Sequence, residues 1–369
     1  MWRTKAMQMA EWHYRVEQLT AWIAKLFSAC GLPTADAAMA AQILARTEAR
    51  GIRTHGLSRL RSYVDKIRRS EVNPRPQFTH ALREGVLYCD GDNGLGQVIG
   101  AKAMDLAISL ARETAFVPCF VKDTGHLGAP GILALRAAES GFVAFFVQAS
   151  APSMALPGAK RKAIGNSPLA FAFPRVGTDP FVFDMATSRV SRGHVLIAAR
   201  NQGRIPEGWA VDRDGQPTTD AKAALEGAML PVGDHKGIGL SMMIECLSAS
   251  LTGTTPPPMI EPDGSSGSAS MRVGAFFFVA NPARIIGAPI FDAHIAGWIG
   301  NYLAASAPGT HIPGEQSAER ERRSHADGIP VSSTIVDELQ TLGAELGVPF
   351  AFADAAVMSH CPLKTERTP

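Results

Sequence analysis

The sequence predicts an α/β (α+β) fold, with a helical part at the N-terminus and a strand-and-helix part after it. Three observations predict this. Apolar residues before about residue 77 recur at helical spacing. From about residue 78, short β-branched and aromatic runs alternate with helical stretches. Beyond about residue 230 the texture is again mainly helical, so the expected division is 1–77 packing with about 230–350, around a middle part at 78–229.

The elements follow in order. Val16, Leu19, Trp22, Ile23, Leu26 and Phe27 predict a helix over 12–29, stopped by Gly31-Leu32-Pro33. Thr34-Ala35-Asp36 opens an alanine-rich helix to about Glu48, and 60–69 predicts a third. Residues 72–76 contain two prolines and read as an extended connector. A strand is expected at 85–90, a glycine-rich segment at 91–100 and a helix at 101–114. Strands at 116–121, 143–148, 171–174 and 181–184 flank a helix at 132–140. Residues 190–201 are helical and 205–212 a loop. The nearly uncharged helix at 236–251 predicts burial on most sides. A Pro/Gly/Ser-rich surface loop at 254–270 precedes a strand at 273–280 and helices at 292–305 and 335–346. The tail, 355–369, has little pattern and is expected to be disordered.

Composition excludes several classes. Lys and Arg number 36 against 34 Asp and Glu, a net charge of +2, which argues against a dedicated nucleic-acid binder. With 46% hydrophobic and 19% charged residues, most of the chain must fold. No apolar run reaches the ~18–20 residues of a membrane span, since Arg136 and Glu139 interrupt the closest candidate. Residues 1–15 lack the apolar core of a secretory signal. Cys30, Cys89, Cys119, Cys246 and Cys361 are scattered and odd in number, which reads as reduced thiols in the cytoplasm.

Five segments carry possible chemistry. In Arg53-Thr54-His55-Gly56-Leu57-Ser58-Arg59, a histidine beside a glycine precedes an arginine by one turn. The pair suits reduction of a 2-oxo acid, with Arg59 gripping the carboxylate through its planar fork and His55 giving the carbonyl oxygen a proton. The competing reading is a capping histidine and a solvated arginine. Asp123-Thr124-Gly125-His126 follows a strand, where α/β folds place function, and His126 is a second acid/base candidate or a structural loop histidine. Gly94-Leu95-Gly96-Gln97-Val98-Ile99-Gly100 is one residue too long for the dinucleotide fingerprint, and Glu113 falls on the helix that follows. Ile164-Gly165-Asn166-Ser167-Pro168, with Asp184-Met185-Ala186-Thr187-Ser188, offers small residues and hydroxyls beside which a ligand could lie. Gly233-Asp234-His235-Lys236-Gly237 puts a cation at a helix start, which suits a phosphate. No metal-ligand spacing stands out.

In this order, the segments resemble the malate/L-lactate dehydrogenase-like NAD(P)-dependent oxidoreductases, a family that includes ureidoglycolate, sulfolactate and 2,3-diketogulonate-type enzymes and Δ1-piperideine-2-carboxylate reductases. The resemblance runs from about Ala41 to Gly347. It rests on His55 to Arg59, His126 with Gly128, Gly165-Asn166-x-Pro168, Asp184-x-Ala186-Thr187-Ser188, Pro206-x-Gly208-Trp209, His235-Lys236-Gly237, and Pro313-Gly314-Glu315 followed by Gly328-Ile329-Pro330.

The resemblance implies a non-Rossmann nicotinamide-binding domain with a mixed, largely antiparallel sheet. It also implies a helical domain built from both chain ends, NAD or NADP as cofactor, and a homodimer. His55 matches the family's proton donor, Thr54 the hydroxyl residue before it, Arg59 the carboxylate ligand, and His126 an acid/base of some members. Ser150, Asp184, Met185, Ala186, Thr187, Ser188, Lys236, Gly237, Gly314 and Glu315 match cofactor-contacting positions. The expected substrate is a small 2-oxo/2-hydroxy acid such as malate, lactate, sulfolactate or ureidoglycolate.

Three departures matter. Thr54 stands where serine is common, Asp234 where glycine is common, and His194 follows Ser188-Arg189-Val190-Ser191-Arg192-Gly193 where cyclic-imine reductases carry an aspartate. Reduction of a cyclic imino acid and a non-catalytic cofactor-binding homologue remain the alternatives.

Overall fold

The computed structural model describes residues 11–159, 161–200, 202–259, 272–352 and 356–358. The chain forms two compact units, Met1–Asp65 with Ser317–Pro369, and Lys66–Gln316. The first unit starts with β1 (Glu11–Tyr14), α1 (Val16–Ala29) and α2 (Thr34–Ala49); α3 (Leu60–Arg68) runs across the boundary. The face of α1 predicted to be apolar is buried, with Leu19, Ile23, Leu26 and Phe27 at 0% exposure, and it packs on Ala-rich α2. Each such side chain contributes roughly 1.5–3 kcal/mol of burial before ordering entropy is subtracted.

The second unit is the α/β part. It runs through β2 (Thr79–Arg83), β3 (Val86–Gly94), α4 (Gly96–Ala111), β4 (Phe116–Thr124), α5 (Pro130–Glu139) and β5 (Val143–Gln148). Then come β6 (Pro152–Met154), β7 (Ile164–Gly165), β8 (Pro168–Phe173), β9 (Phe181–Ala186), α6 (Arg192–Arg200), β10 (Ala210–Val211), β11 (Pro217–Thr218), α7 (Ala221–Glu226) and β12 (Ala228–Met229). The last elements are α8 (His235–Glu245), β13 (Val273–Ala280), α9 (Pro282–Ile285) and α10 (Ala288–Ala304).

Seven strands form the main sheet in the order β2-β3-β4-β13-β5-β8-β9. Neighbours are antiparallel except β3 with β4, the pair joined by helix α4 as a parallel crossover requires. This is the mixed, largely antiparallel sheet that was expected. Its central strands alternate along their middles: Cys119, Phe146 and Phe277 are buried on the side of α4 and α5, and Phe146 and Phe277 stack at 5.0 Å. The other face carries Tyr88, Phe116, Phe120, Phe145, Phe276 and Phe278 in ring contact, half-buried or exposed. A small second sheet runs β11-β10-β12-β6-β7.

The chain returns to the first unit through α11 (Glu315–Asp327), β14 (Ile329–Ser332), α12 (Ser333–Glu345) and β15 (Ala356–Met358). Here one expectation is corrected. Residues 11–14 are a strand rather than the start of a helix, because β1 pairs with β14 and β15 from the far end of the chain. Local periodicity does not register such a partner.

Three more differences follow. The boundary falls near 65, not 77, and the returning segment starts at 317, not 230. Within 230–350, β13 is hydrogen-bonded between β4 and β5 at the centre of the main sheet, so it belongs with the middle part. The helix expected to be buried on most sides leaves Met242 (60%) and Leu251 (55%) exposed, because among the described residues no element covers that face. The loop expected at 254–270 and the tail at 355–369 lie mostly outside the described residues; the loop's described start includes the single turn Pro257–Met259, and the tail's described part is β15.

Candidate active site

The predicted histidine–arginine segment is a tight turn in the first unit. Arg46 and Arg50, at the end of α2, both pair with Glu321 of α11, which anchors the entry to the turn. His55 N donates to Ile52 O at 3.0 Å, and Leu57–Arg59 closes as a short 3₁₀ turn. Thr54 is the hub: its hydroxyl lies 2.9 Å from His55 Nδ1, and its carbonyl accepts from Arg59 Nε at 3.0 Å. Among the described residues, the two terminal nitrogens of Arg59 have no hydrogen-bond partner. The departure Thr54 therefore keeps the hydroxyl that engages the histidine ring.

Beneath the turn lies Glu48, 7% exposed. Its Oε2 accepts from Leu57 N at 2.8 Å. Desolvation pushes its carboxyl up to about 7, against the Leu57 amide and the charge of Arg53.

The remaining predicted residues lie in the second unit. His126 is half-buried in the loop after β4. Gln148, at the end of β5, clamps that loop by donating to Gly125 O and accepting from Leu127 N, both at 3.1 Å. The glycine string packs against the same loop. A Cβ at Gly96 would lie 2.3 Å from His126 O, and one at Gly100 2.6 Å from Leu127 Cδ2. These glycines allow close packing of α4 on the His126 loop.

The fourth and fifth segments converge on one hydroxyl-rich network. Ser150 N donates to Ser167 Oγ at 3.2 Å, Ser153 Oγ donates to Asn166 Oδ1 at 3.1 Å, and Asn166 N donates to Ser153 Oγ at 3.0 Å. Thr187 and Ser241 share a 2.6 Å hydroxyl pair, and Ser241 donates to Gly165 O. Ser188 Oγ donates to Val190 O at 2.6 Å, and Val232 N donates to Thr187 O at 2.9 Å. That bond brings the start of α8, with exposed Lys236 and buried Gly237, to the strand end that carries Met185 and Ala186. Thr187 is fully buried, so its hydroxyl shapes the network from within.

Asp234 does not pair with Lys236. It accepts from Arg189 Nη2 at 2.7 Å, and Arg189 also donates to Gly208 O and Pro231 O. His194, exposed on α6, lies 2.8 Å from Ser191 Oγ through Nδ1.

Asp184 accepts from Gly131 N at 2.8 Å, at the start of α5. Its side chain is open to solvent in the single chain, yet the surrounding protein desolvates it and raises its carboxyl to about 6. Gly314 takes φ +100 beside Val182, whose N–H donates to Pro313 O. Glu315 uses both oxygens inside the protein, accepting from Arg175 at 2.8 Å and from Ile312 N at 2.9 Å. Desolvation opposes its ionisation, but Arg175, the Ile312 amide and His311 outweigh it and hold the carboxyl low.

Sequence reasoning passed over Glu48, Gln148, Arg189 and Glu245. Glu245 is 8% exposed at the end of α8, beside Ser167, and neither of its oxygens meets normal hydrogen-bond geometry with a partner among the described residues. Desolvation raises it to about 7. A lone acid in an otherwise apolar helix was the available signal for Glu245, whereas Glu48 shares the alanine-rich α2 with Asp36 and carried no such mark.

A mostly antiparallel sheet with a histidine–arginine turn and a hydroxyl-lined helix start sets this chain apart from parallel-sheet dinucleotide binders. It belongs to the malate/L-lactate dehydrogenase family, whose model matches residues 14–340. The chain is 35% identical over 316 residues to (2R)-3-sulfolactate dehydrogenase (NADP(+)) of Chromohalobacter salexigens, covering 85% of this chain and 92% of that one. It is 34% identical over 333 residues to Delta(1)-pyrroline-2-carboxylate/Delta(1)-piperideine-2-carboxylate reductase of Pseudomonas putida, covering 89% and 96%. Its fold superposes on malate dehydrogenase from Pyrococcus horikoshii OT3 with a TM-score of 0.82 at 30% identity, covering 94% and 99%.

Proposed function

We propose that this protein is an NAD- or NADP-dependent oxidoreductase. It moves a hydride between the nicotinamide and C2 of a small 2-oxo/2-hydroxy acid of the malate, lactate, sulfolactate or ureidoglycolate kind. The observation that carries this reading is the Thr54 hub, which holds a histidine ring and an arginine fork on one turn.

The nicotinamide cofactor, when bound, supplies or accepts the hydride. The chain's own residues do the rest. Arg59 binds the carboxylate with its terminal nitrogens. His55, with Nδ1 engaged by Thr54, exchanges the proton at the C2 oxygen through Nε2. His126 is the second acid/base. The donor set in the second unit fits a dinucleotide: an exposed lysine at a helix start for phosphate and the half-buried Ser150 hydroxyl for a sugar or amide group, with buried Ser188, its hydroxyl donated to Val190 O, supporting the site from within. Asp184, Met185, Ala186 and Gly314 complete the proposed cofactor contacts. Thr187, Gly237 and Glu315 hold the cradle in shape, since the Thr187 hydroxyl and the Glu315 carboxylate are engaged within the protein and Gly237 is buried against the Thr187 and Val232 carbonyls.

The reading is tested by following nicotinamide absorbance with malate, lactate, sulfolactate, ureidoglycolate and their oxo forms, with each cofactor. Turnover of at least one pair is expected; none with any pair sinks it. Δ1-Pyrroline- and Δ1-piperideine-2-carboxylate belong in the same panel, because the 34% relative is named for them. His194 in place of the aspartate favours the oxo acids. Cofactor binding without any turnover would leave the non-catalytic homologue.

The assembly we propose is a homodimer in the cytoplasm. Exposed Ile290, Trp298 and Tyr302 on α10, Met242 on α8 and the aromatic outer face of the main sheet support self-association. The unbonded thiols of Cys89 and Cys119, 3.9 Å apart, fit a reducing compartment. Ile290→Glu with Tyr302→Glu should shift sedimentation from dimer to monomer; a wild-type monomer would refute the assembly.

A further inference from the structure

We propose that Glu48 is a positioning residue for the proposed reaction: its buried carboxylate holds the turn that presents His55 and Arg59. The inference rests on that turn being the proton- and carboxylate-handling part of the site.

Three observations carry it. Gly56 is the residue before the 3₁₀ turn Leu57–Arg59, and having no side chain it cannot cap that turn itself. The acceptor comes instead from α2: Glu48 Oε2 takes the first amide of the turn, Leu57 N, at 2.8 Å. The same oxygen occupies the space that a side chain at Gly56 would need, since an ideal Cβ there would lie 2.1 Å from it. Glutamate and glycine are thus complementary halves of one support, and the two residues that Glu48 meets, Gly56 and Leu57, lie directly between His55 and Arg59 in sequence. Burial pushes the Glu48 carboxyl up to about 7, a desolvation cost that the Leu57 amide and the charge of Arg53 offset in part. An apolar side chain could fill the space, but it could not accept from Leu57 N.

The test is kinetic and spectroscopic. Glu48→Ala should lower kcat/KM for the 2-oxo acid by roughly 10²-fold, mostly through KM, while leaving NAD(P)H affinity by fluorescence titration within about 2-fold. Glu48→Gln keeps an acceptor for Leu57 N and should recover most of that loss. Gly56→Ala should be more damaging than Glu48→Ala, and the double variant less damaging than Gly56→Ala alone, because the 2.1 Å clash with Oε2 is then gone and only the tight 3.1 Å contact with the Cβ of residue 48 is left. Glu48→Ala kinetics within about 2-fold of wild type, or a double variant whose losses simply add, would overturn the proposal. If no 2-oxo acid turns over in the wild type, the functional reading fails, and the positioning role is judged by the ring resonances of ¹⁵N-labelled His55. Displacement in Glu48→Ala with restoration in Glu48→Gln supports it; unchanged resonances refute it.

Discussion

Arg189 and Asp234 form a 2.7 Å ion pair, and Asp234 sits at φ +54, ψ −111, a backbone conformation that side chains rarely adopt. Asp234 is the residue that departs from the glycine common at this position. The pair explains how a carboxylate is accommodated beside Lys236: its charge is turned to Arg189, which also ties the Gly208 and Pro231 carbonyls to the start of α8.

This makes two substitutions at one position behave differently. Asp234→Ala loses the pair and keeps the strain that the wild type already carries, and should cost up to about 1 kcal/mol. Asp234→Gly loses the pair, which is half-exposed and worth under ~1 kcal/mol, but relieves the strain, and should be close to neutral. Urea midpoints of the two variants check this. Equal losses would mean that the conformation carries no strain.

Two glycines two residues apart on α8 give a second contrast. A Cβ at Gly237 would lie 2.6 Å from both Thr187 O and Val232 O, whereas Gly239 has open space around it. Gly237→Ala should destabilise by about 1–3 kcal/mol, and Gly239→Ala should stabilise by about 0.5–1 kcal/mol. Thermal melts decide; a Gly237→Ala protein as stable as wild type would show that the helix start can shift freely.

The buried acids set a pH dependence. Glu245 has its carboxyl raised from 4.5 to about 7 by desolvation. Between those values the folded state binds the proton more tightly than the unfolded state, so this group's contribution to stability falls as pH rises through the window. Glu48 acts with the same sign. Denaturant midpoints should therefore drop between about pH 5 and about pH 7.5, and less steeply in Glu245→Gln. An unchanged slope in that variant would remove Glu245 from the account.

The turn proposed to carry the proton and carboxylate chemistry gives separable kinetics. His55→Ala should lower kcat by roughly 10²–10⁴-fold with cofactor affinity intact. Arg59→Lys should mainly raise KM, because an ammonium cannot replace the planar fork. Full activity of His55→Ala would move the proton transfer to His126, and an unchanged KM would remove Arg59 from the carboxylate site.

Much of this was legible in advance, for a physical reason. Helix α1, strands β5 and β13 and the His55–Arg59 segment are local patterns, written in residues a few positions apart. What was not legible depends on distant partners. β1 is a strand through β14 and β15. The apolar composition of α8 predicted burial, yet Met242 is exposed, because composition does not say whether a neighbour covers a face. Asp234 stands two residues before Lys236 in sequence, and only the fold shows that its charge goes to Arg189, 45 residues earlier.

By itself the sequence determined the fold class, the family resemblance and the set of residue types able to handle a carboxylate, a proton and a dinucleotide. Only the tertiary structure decided which of them hold one another. It placed Glu48 under Gly56, Gln148 across the His126 loop, and Thr187 against Ser241. Those relations depend on desolvation and on hydrogen bonds between segments far apart in the chain, and neither quantity exists until the backbone has closed on itself.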